Sequence, residues 1–204
     1  MASSSNLERP IFWIFGGPNG SGKSSAYADT SFQADGQTIW IVNPDLLTVR
    51  IQRIEGLELQ PANRQAVVRI ESWLDASIDT HKSVGVETVL STGKYCRLVT
   101  KAKTLGFEVR LTYVMLNSPD LNVERVRLRV AKGGHDVPEE KVRSRYVNSL
   151  QQLPWFFGEA DQAVIYDNSG ATPVKVLQKM GSQIDVFSRT LPQVLKALGL
   201  TPPG

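Results

Sequence analysis

Residues 17–24 read Gly17-Pro18-Asn19-Gly20-Ser21-Gly22-Lys23-Ser24 and fit the pattern G-x-x-x-x-G-K-[ST]. The preceding run, Ile11-Phe12-Trp13-Ile14-Phe15, is apolar and long enough for one buried strand. The following Ser25-Ala26-Tyr27-Ala28 contains neither Pro nor Gly and is expected to open a helix. A strand, a glycine loop and a helix in that order form the context in which this pattern holds phosphate. Successive backbone N–H groups then point inward, and the helix N-terminus adds positive potential. Gly17, Gly20 and Gly22 leave room for that close approach, while Pro18, Asn19, Ser21 and Ser25 complete the cradle. Lys23 is expected to reach the β- and γ-phosphates, and the Ser24 hydroxyl to ligate Mg²⁺. The competing reading is a Gly/Ser-rich turn after a strand. The four fixed positions and both flanks favour the phosphate loop, which implies a nucleotide but names no reaction.

Outward from the loop, strand and helix patterns alternate. Residues 38–42 form a second strand ending at Asn43-Pro44-Asp45. Residues 61–81 carry Val67, Ile70, Leu74 and Ile78 at helical spacing. A strand over 84–90 contains Glu87, and a helix over 94–104 ends at Gly106. Residues 107–116 are the fourth strand, and Ser118-Pro119 opens a helix to about Lys132, stopped by Gly133-Gly134. Asp136-x-x-Glu139 resembles a capping box for a helix burying Val142, Tyr146 and Leu150. Residues 163–166 form a fifth strand, 174–177 a short edge strand and 192–198 a final helix. The pattern predicts an α/β fold of the P-loop NTPase type. It is doubly wound, with a mainly parallel five- to six-stranded sheet and helices on both faces. One domain over 1–204 is expected, with residues 1–9 disordered and 117–152 forming a helical lid that clamps phosphates.

Composition narrows the class. The 204 residues are 41% hydrophobic and 21% charged, ordinary for a globular chain. A net charge of +3 is too slight to argue for nucleic acid. Cys96 is the single cysteine, which rules out an internal disulfide or a cysteine zinc cluster. The short polar N-terminal stretch lacks a signal-peptide core, and no apolar run is long enough to cross a bilayer. A soluble, cytoplasmic protein is expected, with neither nucleic acid nor membrane as partner.

Ligands of such sheets bind at the carboxyl ends of the strands, where Asp45 and Glu87 fall. Asp45 reads either as the base for a substrate hydroxyl or as a helix N-cap. Glu87 is a charge in an apolar strand. It must pair or face a cleft, so it is either a ligand contact or half of a structural ion pair. Arg125 and Arg129 lie four apart on one helix face and read as a phosphate clamp or as a solvated basic face. His135 reads as a phosphate contact or as an accessory to a cap. Asn168, in Asp167-Asn168-Ser169, either contacts the nucleotide or belongs to an ordinary turn.

Taken together, these stretches resemble the zeta toxin family of phosphate-loop kinases from bacterial toxin–antitoxin systems. The resemblance rests on residues 16–24, Asn43-Pro44-Asp45, Glu87-Thr88, Glu124-Arg125, Arg129-Val130-x-x-Gly-Gly-His-Asp-Val-Pro138, Arg145-Tyr146 and Tyr166-Asp167-Asn168-Ser169. It implies an ATP- and Mg²⁺-dependent kinase that phosphorylates a sugar hydroxyl of a nucleotide sugar, with UDP-N-acetylglucosamine the best-known acceptor. A small helical antitoxin protein is the implied partner. By the same resemblance Asp45 is the catalytic aspartate, Asn43, Glu87 and Thr88 bind the acceptor, and Arg125 binds phosphate. Plasmid-type members carry a second arginine just before Thr-Pro; this chain has His135-Asp136-Val137-Pro138, and Arg129 is expected to supply that charge. Phosphorylation of another nucleotide cofactor such as NAD, or a regulatory module that only binds ATP, are the alternatives.

Overall fold

The computed structural model describes residues 9–26, 31–34, 37–134 and 136–202. The apolar run before the glycine loop forms β1 (Ile11–Gly16). After the loop, Lys23–Ala26 make one 3-10 turn; the rest of the helix expected there, from Tyr27, lies outside the described residues. β2 (Ser31–Ala34) and β3 (Gln37–Val42) follow, then α1 (Pro44–Glu55) and α2 (Leu59–Asp79). Next come β4 (Val84–Thr88), α3 (Cys96–Thr104), β5 (Glu108–Met115) and α4 (Pro119–Ala131). α5 (Glu139–Glu159), β6 (Gln162–Asp167), β7 (Val174–Met180), β8 (Gln183–Val186) and α6 (Pro192–Ala197) complete the chain. Of the residues expected to be disordered, 1–8 lie outside the description. Arg9 donates to the carbonyl oxygens of Gly106 and Phe107 at 3.0 and 2.7 Å.

The sheet runs β2-β3-β4-β1-β5-β6-β7-β8. Its middle is parallel, β3-β4-β1-β5-β6, with β1 at the centre. The chain leaves β1 toward one side of the sheet and later returns to the other. The crevice above the carboxyl end of β1 is therefore the switch point where such sheets bind ligands.

The sheet is wider than the five to six strands expected. β2 pairs antiparallel with β3 at one edge, and β7 and β8 extend the other as an antiparallel hairpin. That hairpin turns between Met180 and Gln183, with Gly181 at φ 60°, a geometry suited to a two-residue loop. Apart from Val176 and Leu177, which enter the main core, its residues are exposed or half-buried, and polar residues interrupt every apolar run.

Alternation along the strands decides the layers. Phe12 and Ile14 of β1, Val84 and Val86 of β4, and Val109, Leu111 and Tyr113 of β5 point to one face. There they join Ile70, Leu74 and Ile78 of α2, Leu98 and Val99 of α3, and Leu153 and Phe156 of α5 in the main core. Trp13, Phe15 and Ile41 form a smaller cluster on the opposite face. Val67, expected on the buried stripe of α2, is instead 36% exposed. It lines the cleft described below, one residue off the stripe that Ala62, Ala66, Ile70 and Leu74 bury.

Two boundaries differ from expectation for identifiable reasons. β4 stops at Thr88 because Leu90 adopts a left-handed backbone, φ 56°, with its amide held by the Thr88 hydroxyl at 3.0 Å. The capping box at residues 136–139 does not form: Pro138 occupies the N-cap of α5 without a side-chain cap. The Glu139 carboxylate accepts from Arg127 and Arg143 instead.

Candidate active site

The loop after β1 folds as its glycines require. Gly17, Gly20 and Gly22 have φ of 144°, 76° and 88°. A methyl group on Gly17 would strike the Val114 carbonyl oxygen, and one on Gly22 the Asn168 amide. Three side chains from three later elements hold the loop from outside. Asn122 of α4, fully buried, donates Nδ2 to the Asn19 carbonyl at 2.6 Å. Arg145 of α5 donates Nη1 to Asn19 Oδ1 at 3.1 Å. Asn168, just past β6, donates Nδ2 to the Ser21 carbonyl at 2.9 Å.

Lys23 is 7% exposed and donates Nζ to the Pro18 carbonyl at 3.0 Å, with Glu87 Oε1 at 3.9 Å. Burial pulls its ammonium below the ordinary lysine range, which Glu87 and then Asp45 oppose and Arg129 and Arg145 reinforce. Glu87 accepts at Oε2 from Asn43 Nδ2 (2.7 Å) and Ser24 Oγ (3.1 Å). The charge in the apolar strand is thus both paired and facing a cleft, at the carboxyl end of the strand beside β1.

Asp45 sits in the first turn of α1, exposed, and lines the same cleft. It is not the cap of that helix: Asn43 is, its Oδ1 accepting from the amides of Asp45 and Leu46 at 2.9 and 3.3 Å. The helix is started by Asn43 and Pro44, which leaves the Asp45 carboxylate to project over the sheet.

Arg125 and Arg129 are both half-buried and both line the cleft, whereas Arg127 turns away to Glu139. Arg125 Nη2 also lies 3.4 Å from the Ser169 carbonyl, at the turn after β6. The cleft, about 580 Å³, extends from the loop past Asp45 to Thr48, Asn63, Val67, Thr88–Thr92 and Tyr95. A cavity of this size takes a ligand of nucleotide dimensions.

The structure brings Asn19, Gly20, Gly22, Lys23, Ser24, Asn43, Asp45, Glu87, Thr88, Arg125 and Arg129 to this one cleft. Gly17, Pro18 and Ser21 form the loop behind them, and Asn168 supports it rather than lining the cleft. His135 lies outside the described residues, as does the side chain of Ser25. One residue was not singled out from sequence, and another was quoted only within the resemblance, with no role. Asn122 could have been found as a polar residue beside Val123 and Val126 on the apolar stripe of its helix. Arg145, one of two arginines on α5, stands in the Arg145-Tyr146 stretch of the resemblance, but nothing local assigned it a role.

A phosphate loop at the switch point of five parallel strands, with an acid after β3, two strands away, and arginines on the helices above, defines a P-loop kinase-type protein. The zeta toxin family model matches residues 2–183, and the chain belongs to that family. An uncharacterized protein of Haemophilus influenzae is 31% identical over 142 residues, covering 68% of this chain and 92% of that one. The fold is similar to that of the AvrRxo1-ORF1:AvrRxo1-ORF2 complex solved with sulphate ions. The TM-score is 0.68 at 16% identity, covering 96% of this chain and 65% of that chain, slightly under two thirds of its length. The same complex with ATP gives a TM-score of 0.67 at 16% identity, covering 98% and 67%. The PezAT chromosomal toxin–antitoxin system of Streptococcus pneumoniae gives a TM-score of 0.55 at 15% identity, covering 94% and 85%. At these identities the solved structures show the fold. Among the described residues no helix is long and apolar enough to cross a membrane.

Proposed function

We propose that this protein is an ATP- and magnesium-dependent kinase that transfers the γ-phosphate of ATP to a sugar hydroxyl of a nucleotide sugar, UDP-N-acetylglucosamine foremost. It acts as a zeta-type toxin in the cytoplasm, restrained by a small helical antitoxin. The observation that carries the reading is the Asp45 carboxylate, which among the described residues takes neither the cap nor an ion pair and shares one cleft with Lys23, Arg125 and Arg129. A regulatory module that only binds ATP needs no such acid beside a second, open half of the cleft.

In this mechanism the loop amides and Lys23 hold the β- and γ-phosphates, and Asp45 accepts the proton of the acceptor hydroxyl. That oxygen bonds to the γ-phosphorus as the bond from phosphorus to the β,γ-bridging oxygen breaks, releasing ADP. Arg125 and Arg129 stabilise the charge on the group in transfer. The Ser24 hydroxyl is a hard oxygen donor at the end of the loop, lines the cleft and would hold magnesium. When bound, the ion neutralises phosphate charge. Asn43, Glu87 and Thr88 bind the acceptor.

The test is to incubate the protein with ATP, Mg²⁺ and a panel of nucleotide sugars, with NAD as one member, and read mass shifts. A phosphorylated UDP-sugar supports the reading; phosphorylated NAD alone replaces the acceptor; no product from any member removes the kinase.

A pH effect follows from Lys23. Its folded-state pKa lies below the unfolded value, so between the two the unfolded chain binds more protons, and stability rises with pH through that window. A bound polyphosphate anion pulls the pKa back up. ATP binding should therefore take up protons at alkaline pH, increasingly so as the pH rises toward the ordinary lysine range. Titration calorimetry in buffers of different ionisation heat measures this. A proton count that stays at zero would mean that Lys23 is fully charged before ATP binds.

A further inference from the structure

We infer that Arg145 is a nucleotide-contacting residue, a third arginine of the phosphate clamp that reads the terminal phosphate of ATP. The inference rests on the kinase reading above and adds a residue that reading does not use.

Arg145 lies on α5, 126 positions from the loop in sequence, yet its Nη1 reaches Asn19 Oδ1 at 3.1 Å and its side chain lines the cleft. It is half-buried, and among the described residues it makes no ion pair. The other arginines of α5 and α4 that carry no such role are paired: Arg143 with Asp120 and Glu139, and Arg127 with Glu139. A guanidinium has five N–H donors in a rigid fork. A single bond to a neutral amide oxygen leaves most of them for a ligand in the cleft.

Its charge already acts on the reacting end of the site. Arg145 and Arg129 are the two arginines whose positive fields lower the Lys23 pKa, so both sit near the amine that follows the transferring phosphoryl group. Lys23, Arg125, Arg129 and Arg145 outnumber the carboxylates of Asp45 and Glu87 along the cleft. Clustered like charges of this kind repel one another unless an anion lies between them, and a triphosphate supplies it. The bond to Asn19 holds the fork at the front half of the loop. Arg125 leans instead toward Ser169, beyond β6. The cation that completes the clamp around Lys23 thus comes from α5 and not from α4 alone.

The alternative is that Arg145 only props the loop through Asn19, and two variants separate the roles. Arg145→Ala removes both charge and bond; Arg145→Gln keeps a donor for Asn19 and removes the charge. Dissociation constants for ATP and ADP are measured by calorimetry on the full chain, with thermal melting as the fold control. We expect each variant to weaken ATP binding by about ten- to a hundredfold while ADP changes by about twofold at most. The ratio of ATP to ADP affinity would then fall relative to the wild-type protein. Equal weakening of ATP and ADP, or a wild-type profile in Arg145→Gln with loss only in Arg145→Ala, would reduce Arg145 to a prop and overturn the inference alone. Should Arg145→Ala fail to fold, Arg145→Gln decides by the same comparison. A wild-type protein that binds no ATP would overturn the kinase reading together with it.

Discussion

Lys23→Ala is expected to reduce phosphoryl transfer by about 10²–10³-fold or more, the loss seen when one preorganised charge-stabilising donor is removed. Its ammonium is buried beside Glu87 and is the only lysine on the loop, so no neighbour on that segment can replace it. The fold should survive. The loop is held by Asn122, Arg145 and Asn168, none of which uses the Lys23 side chain. Initial rates with saturating ATP, alongside a thermal melt, make the measurement. A variant that turns over at the wild-type rate would remove the phosphate-loop reading of residues 17–24.

Asp45→Asn should lower transfer by about 10²–10⁴-fold, the usual contribution of a positioned base. ATP binding and stability should remain at wild-type values. The structure sharpens this prediction. Because Asn43 caps α1, Asp45→Asn does not touch the cap, and any loss of activity cannot be assigned to an unravelled helix. Asn keeps the shape and can still accept a hydrogen bond, but it takes up no proton at neutral pH. If expression of the wild-type protein arrests growth, the arrest should vanish in this variant. Undiminished transfer by Asp45→Asn would mean that the acceptor hydroxyl loses its proton elsewhere, and the Asp45 assignment would be withdrawn.

The two variants fail in different ways, which locates each group in the reaction. Lys23 acts on the nucleotide, so its loss weakens ATP binding as well as turnover. Asp45 acts on the acceptor, so its loss leaves the ATP dissociation constant in place.

Much of this site could be read from the chain because its signals are local. The glycine loop is contiguous, its backbone dihedrals are set by residue type, and the flanking apolar runs announce strand and turn within about ten residues. The alternating pattern was enough to predict a mainly parallel sheet with the phosphate loop after its first strand, and the family resemblance pointed to Asp45, Glu87 and Arg125. Of the β7–β8 hairpin only 174–177 was expected, because beyond the buried Val176 and Leu177 its half-exposed residues carry no regular apolar period.

What the tertiary structure alone decided are the pairings across distant segments. Sequence showed a charge at Glu87, but only the β3-β4-β1 order brings Ser24 and Asn43 to it, across 63 and 44 positions. Sequence left Asp45 as base or cap; only the backbone at Asn43 assigns the cap and leaves Asp45 out of it. Arg145 joins the loop because α5 packs beside α4 over the switch point, a placement set by the Val123, Val126, Val137 and Val142 cluster. The chain by itself determined which chemical groups are present and that they belong to a phosphate loop. Which of them share one cleft was decided by helix and sheet packing, because that depends on buried contacts between segments no local pattern connects.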